Sequence, residues 1–157
     1  MRKRLVNTTP AAVQARGEGW FDLEHAATVE VTSEDKDFPI ESSLSIERGQ
    51  GWRAAEPGAQ TIRLLFDEPQ ELRRISLVFE EDEITRTQEF VLRALSNPAG
   101  SFREIVRQQW NFSAPTSTRE IEEYRVEISK VTVLELTIVP NISDGAARAS
   151  LKSLRLS

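Results

Sequence analysis

The chain of 157 residues is 39% hydrophobic and 29% charged, with seven Gly and seven Pro, proportions of a folded globular domain rather than a disordered or fibrous chain. One core of this size buries roughly 68–70% of the surface the unfolded chain exposes, enough to stand without disulfides or metal staples. With no cysteine and a single histidine, His25, the chain lacks thiol nucleophiles, zinc–thiolate clusters and iron–sulfur ligation, and a net charge of −5 argues against general affinity for nucleic acid or anionic membranes.

Residues 1–19 carry no strong period, only a short helical turn over Ala11–Arg16. They read as a weakly ordered lead-in arm to a compact domain over 20–157. The basic Met1-Arg2-Lys3-Arg4 is not followed by the apolar stretch of a signal peptide, and no apolar run approaches a membrane span, so the expected location is cytoplasmic. Ala27–Thr32 turns Ala27, Val29 and Val31 inward, and Ile40–Ile46 suits a short helical turn. Gln60–Phe66 places Ile62, Leu64 and Phe66 on one face and Thr61 and Arg63 on the other, the alternation of a half-buried strand. Arg74–Phe79 repeats it with Ile75, Leu77 and Phe79, and Glu89–Leu95 with Phe90 and Leu92. Phe102–Phe112 reads as a long or bent strand with Val106, Trp110 and Phe112 sharing one parity. Tyr124, Val126 and Ile128, then Leu134, Leu136 and Ile138, give two more strands. Leu151, Leu154 and Leu156 break alternation by one residue, as a bulge in a final strand would. Asp67-Glu68-Pro69, Asn97-Pro98-Ala99-Gly100, Ala114-Pro115-Thr116 and the run Pro140–Gly145 are turn chemistry. The expectation is an all-β sandwich of about eight antiparallel strands.

Several of these residues, taken in order, carry a resemblance. Pro39-Ile40-Glu41-Ser42-Ser43-Leu44 stands where a proline-led turn ends in Ala-Leu, and Gly51-Trp52-Arg53-Ala54 at a Thr-x-Trp loop. Gln60 leads the strand of Ile62, Leu64 and Phe66, and Ile75-Ser76-Leu77 follows. Phe90-Val91-Leu92 through Ser96 and Gly100 match an aromatic strand ending in Ser-x-Asp-Gly. Leu134–Pro140 and Leu151-Lys152-Ser153-Leu154 look like the closing strands. Across residues 26–156 the pattern resembles the discoidin, or coagulation-factor type C, branch of the galactose-binding-like jelly rolls. The resemblance implies a jelly-roll binding module for sugar heads, lipid heads or protein partners. Members with a structural calcium commonly carry acidic residues where this chain has Ser45 and Ser153, so the resemblance implies no calcium or a weak site, since hard cations want carboxylate oxygens, and no cofactor is expected.

Successive antiparallel strands run up and down, so alternate connections share an end. Residues 33–59, 80–87, 113–118 and 140–147 are expected at one end, and 67–72, 96–101 and 129–130 at the other. The first end holds the longest loop, and the family resemblance places ligands there as well. On it Trp52 and Arg53 stand first: an indole face can stack on a pyranose, and a guanidinium donates paired bonds to hydroxyls or a carboxylate. The alternative for Trp52 is a plug closing the barrel. Glu41, Arg86, Asn141 and Asp144 are further ligand candidates by their hydrogen-bonding groups, each with the alternative of a turn or solvated residue. Trp110 and Phe112 fit the core, which leaves Arg107, Gln109 and Asn111 on an outer face that could meet a protein partner.

Catalytic motifs are absent from the sequence. Glu80-Glu81-Asp82-Glu83 reads as a solvated hairpin tip rather than an opposed glycosidase pair, His25 lacks a triad motif, and Gly49-Gln50-Gly51 lacks the helix and basic residue of a phosphate loop. The expected function is a non-catalytic module that recognises a carbohydrate-like ligand through loops at one end. A protein-interaction scaffold of an intracellular complex is the alternative.

Overall fold

Two strands, Gln60–Glu80 and Arg119–Val139, each join two alternating runs and are far longer than the ordinary five or six residues. The computed structural model describes residues 19–45, 49–97 and 100–157. Within these lie α1 (Leu23–Ala26), β1 (Ala27–Val31), α2 (Glu41–Leu44), β2 (Trp52–Pro57), β3 (Gln60–Glu80), β4 (Arg86–Ser96), β5 (Arg103–Phe112), β6 (Arg119–Val139), β7 (Arg148–Leu151) and β8 (Ser153–Leu156). The expected arm, except Gly19, and the helical turn over 11–16 lie outside the described residues.

Straight, β3 or β6 would reach about 70 Å at 3.3 Å per residue. A chain of this length has a radius of gyration of only about 15 Å. Both strands must therefore bend, and they bend together. They pair antiparallel from Gln60↔Ile138 to Glu80↔Arg119, with the register slips gathered between Leu65 and Arg74. Lys130, with φ of 56°, marks the matching point on β6. Before the bend the ribbon pairs with β1 through Ile62–Phe66 and with β4 through Val131–Val139; after it, β8 pairs with Ile75–Val78. Half of each strand thus serves each layer, and the layers face each other. The Phe79 ring packs on Phe90 with centroids 5.2 Å apart, and Gln88 Nε2 donates to Glu120 Oε1 at 3.1 Å. Leu64, Leu92, Leu134 and Leu136 from one layer meet Leu72, Leu77, Leu154 and Leu156 from the other in one buried core.

Three expectations change. The strands expected separately over 60–66 and 74–79 are halves of β3, and those over 124–128 and 134–138 are halves of β6; the register slips let alternation change face without ending the pairing. The final strand is two strands, broken at Lys152, with β7 pairing with β2 and β8 with β3. β2 itself carries no apolar alternation beyond Trp52 and Ala54, which hid it. Ser45 ends α2 and Ser153 opens β8. No helix of the described residues is long and apolar enough to cross a membrane.

Candidate functional site at the loop end

The described parts of the connections 33–59, 80–87, 113–118 and 140–147 do meet at one end, where they line a hollow of about 580 Å³. At the opposite end Asn97 N–H donates to Lys130 O at 2.8 Å, and the Ser129 hydroxyl to Glu71 at 3.4 Å.

One wall of the hollow is the β2–β7 ribbon. Its register sets Trp52 opposite Leu151 and Arg53 opposite Ser150. Pleating turns Trp52, Ala54, Ala149 and Leu151 into the core and leaves Arg53, Arg148 and Ser150 outward, with Lys152 next on the same parity. The ribbon is tightly seated. At Gly51, φ is 88° and an added Cβ would lie 2.7 Å from the Leu151 carbonyl oxygen, so only glycine fits. The loop before β2 is tied to it: Asp35 N–H donates to Arg53 O at 2.8 Å, and Arg53 N–H to Phe38 O at 3.2 Å. The Arg53 guanidinium lies over the Phe38 ring, 4.7 Å from its centroid. Buried Gln60 accepts from the hydroxyls of Thr32 at 2.6 Å and Ser33 at 2.8 Å, fixing the start of that loop.

The facing wall is the β3–β4 connection, with Glu80, Glu81, Asp82, Glu83 and Ile84 on the hollow and Arg119 beside it. Arg86 holds this loop from beneath. Its Nε donates to Glu81 Oε1 at 2.8 Å and its Nη1 to Pro140 O at 2.7 Å, joining the 80–87 and 140–147 connections. Burial raises the Glu81 pKa, but bonds from Arg86 and from the N–H groups of Glu83 and Ile84 outweigh it, so the carboxyl titrates below its ordinary value. Behind Arg86, burial first, and then the neighbouring Glu122 carboxyl, push Glu120 up to about 9.

The expected ligand residues are not all brought together. Trp52 is 1% exposed and its Nε1 donates to Ser33 O at 3.1 Å, so it is a plug and offers no stacking face; this corrects its first-ranked ligand role. The Arg86 side chain is fully buried in its bonds to Glu81, Gln88 and Pro140, so it supports the rim rather than meeting a ligand, a second correction. Arg53 is exposed and lines the hollow. Asn141 and Asp144 line a smaller neighbouring depression of about 300 Å³, where Asn141 Oδ1 accepts from Ser143 N–H at 3.0 Å and Asp144 has φ of 70°, both turn functions. Glu41 is exposed on α2 and lines neither. Sequence reasoning missed Arg148, Ser150 and Lys152. The signal was present in the alternation Arg148-Ala149-Ser150-Leu151-Lys152, masked because the closing strand was read only from Leu151.

On β5, Trp110 is half-buried and Phe112 buried, as parity requires, with Arg107, Gln109 and Asn111 outward. These three are engaged within the sheet: Arg107 pairs with Glu89 and Glu104 at 3.0 Å each, Gln109 donates to Glu89 at 3.0 Å, and Asn111 accepts from the Thr87 hydroxyl at 2.6 Å.

No family model matches the sequence, and no curated protein matches it either. Solved structures do. The family 32 carbohydrate-binding module (CBM) from C. perfringens NanJ, in complex with galactose, is 14% identical with a TM-score of 0.62, over 87% of this chain and 96% of that one. The family 32 module of AlyQ, in complex with 4,5-unsaturated mannuronic acid, is 16% identical at 0.62, over 88% and 97%. A pectin-binding carbohydrate-binding module is 13% identical at 0.60, over 85% and 91%. The antiparallel two-layered architecture and these matches together show that the chain has the fold of the family 32 modules, the galactose-binding-like, discoidin-type jelly roll.

Proposed function

We propose that the protein is a non-catalytic carbohydrate-binding module whose ligand sits in the hollow between the β2–β7 ribbon and the 80–84 loop. The observation that carries this reading is the convergence of outward Arg53, Arg148, Ser150 and Lys152 on one wall with Glu80, Asp82 and Glu83 on the other, in a hollow of about 580 Å³. Sugar recognition needs donors and acceptors set at fixed angles on a rigid frame, and here the frame is a pleated ribbon and an Arg86-braced loop. The solved structures of the same fold, bound to galactose or to a uronic acid, support it as relatives in shape. Trp52 being buried, the surface for a sugar's apolar face is the Phe38 ring and the guanidinium plane above it.

Among the described residues the large apolar side chains left exposed are Ile84, Phe102, Ile121 and Ile142, on four separate segments, so the protein-scaffold alternative gains no specific support. Screening an array of glycans, followed by calorimetric titration of any hit, tests the proposal. Arg53→Ala should weaken binding roughly tenfold or more, the worth of a charge-assisted hydrogen bond, while shifting the melting temperature little because Arg53 is exposed. An array without hits, or a hit indifferent to Arg53→Ala and Arg148→Gln alike, would remove the rim from consideration.

A further inference from the structure

The two walls of the hollow differ in charge, and the difference selects among sugars. On the ribbon, Arg148 and Ser150 stand at alternate positions of β7 and therefore on one face, with Arg53 in register beside Ser150, and Lys152 follows on the hollow just past the end of the strand. This makes a row of cation, hydroxyl and cation with a second guanidinium alongside. Their existing partners are weak competitors. Arg148 Nη1 lies 3.8 Å from Asp35, beyond hydrogen-bonding range, Lys152 Nζ donates to a single carbonyl, Gly49 O at 3.1 Å, and Arg53 rests on an aromatic face. The opposite wall is acidic, but half of its charge is already matched: Arg119 lies 3.7 Å from Glu80, and Arg86 Nε donates to Glu81 at 2.8 Å. Asp82 and Glu83 remain exposed at its tip.

A neutral sugar would offer the ribbon's cations hydroxyl acceptors but no opposite charge. A sugar bearing a carboxylate matches both walls: guanidinium and hydroxyl donors to its two planar oxygens on one side, carboxylates accepting from its ring hydroxyls on the other. Resting on the rim reading above, we infer that the site selects a carboxylated sugar, a uronate residue of an acidic glycan, with its carboxylate at Arg53, Ser150 and Arg148 and its hydroxyls toward Asp82 and Glu83. The spacing of charge along one pleated face also orients it, because reversing the ring would set carboxylate against carboxylate.

The test is calorimetric titration of the whole protein with three oligosaccharides of equal length: a uronate oligomer, the corresponding neutral hexose oligomer and a sulfated neutral oligomer. The uronate should bind roughly tenfold or more tighter than the neutral sugar. Its affinity should fall as salt rises from about 0.05 M to about 0.5 M, because the charges involved are partly solvated. Arg148→Gln and Ser150→Ala should each cut uronate affinity by a larger factor than they cut neutral-sugar affinity, because only the uronate loses a charge-assisted bond. Equal or tighter binding of the neutral oligomer, or uronate affinity indifferent to salt and to both variants, would overturn the selectivity while leaving the sugar site standing. Equal binding of the sulfated oligomer would overturn the assignment to a carboxylate. Binding of none of the three would overturn this inference together with the rim reading. The wild-type comparison needs no variant to fold.

Discussion

Trp52 and Arg53 are adjacent in the chain and opposite in fate: pleating sends the indole into the core and the guanidinium to the hollow. Trp52→Ala should therefore cost about 3–5 kcal/mol of stability, as for a deleted core aromatic. Denaturant unfolding followed by circular dichroism measures it, and Arg53→Ala measured alongside should shift the midpoint little. Glu120 gives the second prediction at this scale. Its carboxyl, buried between the layers beside Glu122, titrates at about 9 when folded, against an ordinary value of 4.5. An acid with a raised folded-state pKa holds its proton in the native state and loses it in the unfolded one. Its contribution is complete below about pH 4.5 and declines as pH rises toward 9. Melting temperature measured across that range should therefore slope downward in the wild type and less steeply in Glu120→Gln. An identical slope in both would mean that the carboxyl ionises freely.

The β2–β7 ribbon is the element on which the site depends, and Gly51 is what lets it sit so close. A side chain there meets a left-handed backbone, at about 1–2 kcal/mol for any L-residue, and in addition the Leu151 carbonyl at 2.7 Å. Gly51→Ala should lower the melting temperature and, because the ribbon must shift to relieve the clash, should weaken glycan binding in calorimetry more than Gly58→Ala does. Gly58 also has positive φ, 90°, but an added Cβ there meets nothing within 4 Å. Arg86 explains why the facing loop keeps its shape: one buried guanidinium binds the carboxylate of one connection and the carbonyl of the next.

Across the whole molecule, β3 and β6 each belong to both layers, so neither layer can open without breaking the ribbon that carries the other. Unfolding should be one cooperative transition. Leu64→Ala in one layer and Leu154→Ala in the other should each cost about 2–5 kcal/mol, with circular dichroism and tryptophan fluorescence giving coincident curves. Separate transitions would show the layers to be independent.

Alternation of side chains alone determined that this chain forms strands, which face is buried in all but β2 and β7, and which connections share an end, because pleat parity is a local property of the backbone. The run Ile62, Leu64, Phe66 and the run Ile75, Leu77, Phe79 could be read singly; that one continuous strand joins them could not, since a register slip leaves no mark in composition. The site was half legible. Arg53 was found on its loop, while Arg148, Ser150 and Lys152 were not, because their partnership with Arg53 rests on a pairing across roughly a hundred residues of sequence. Only tertiary structure decided that Trp52 closes the barrel and that Arg86 braces it, for burial depends on what the rest of the chain lays over a residue, and no local pattern carries that information.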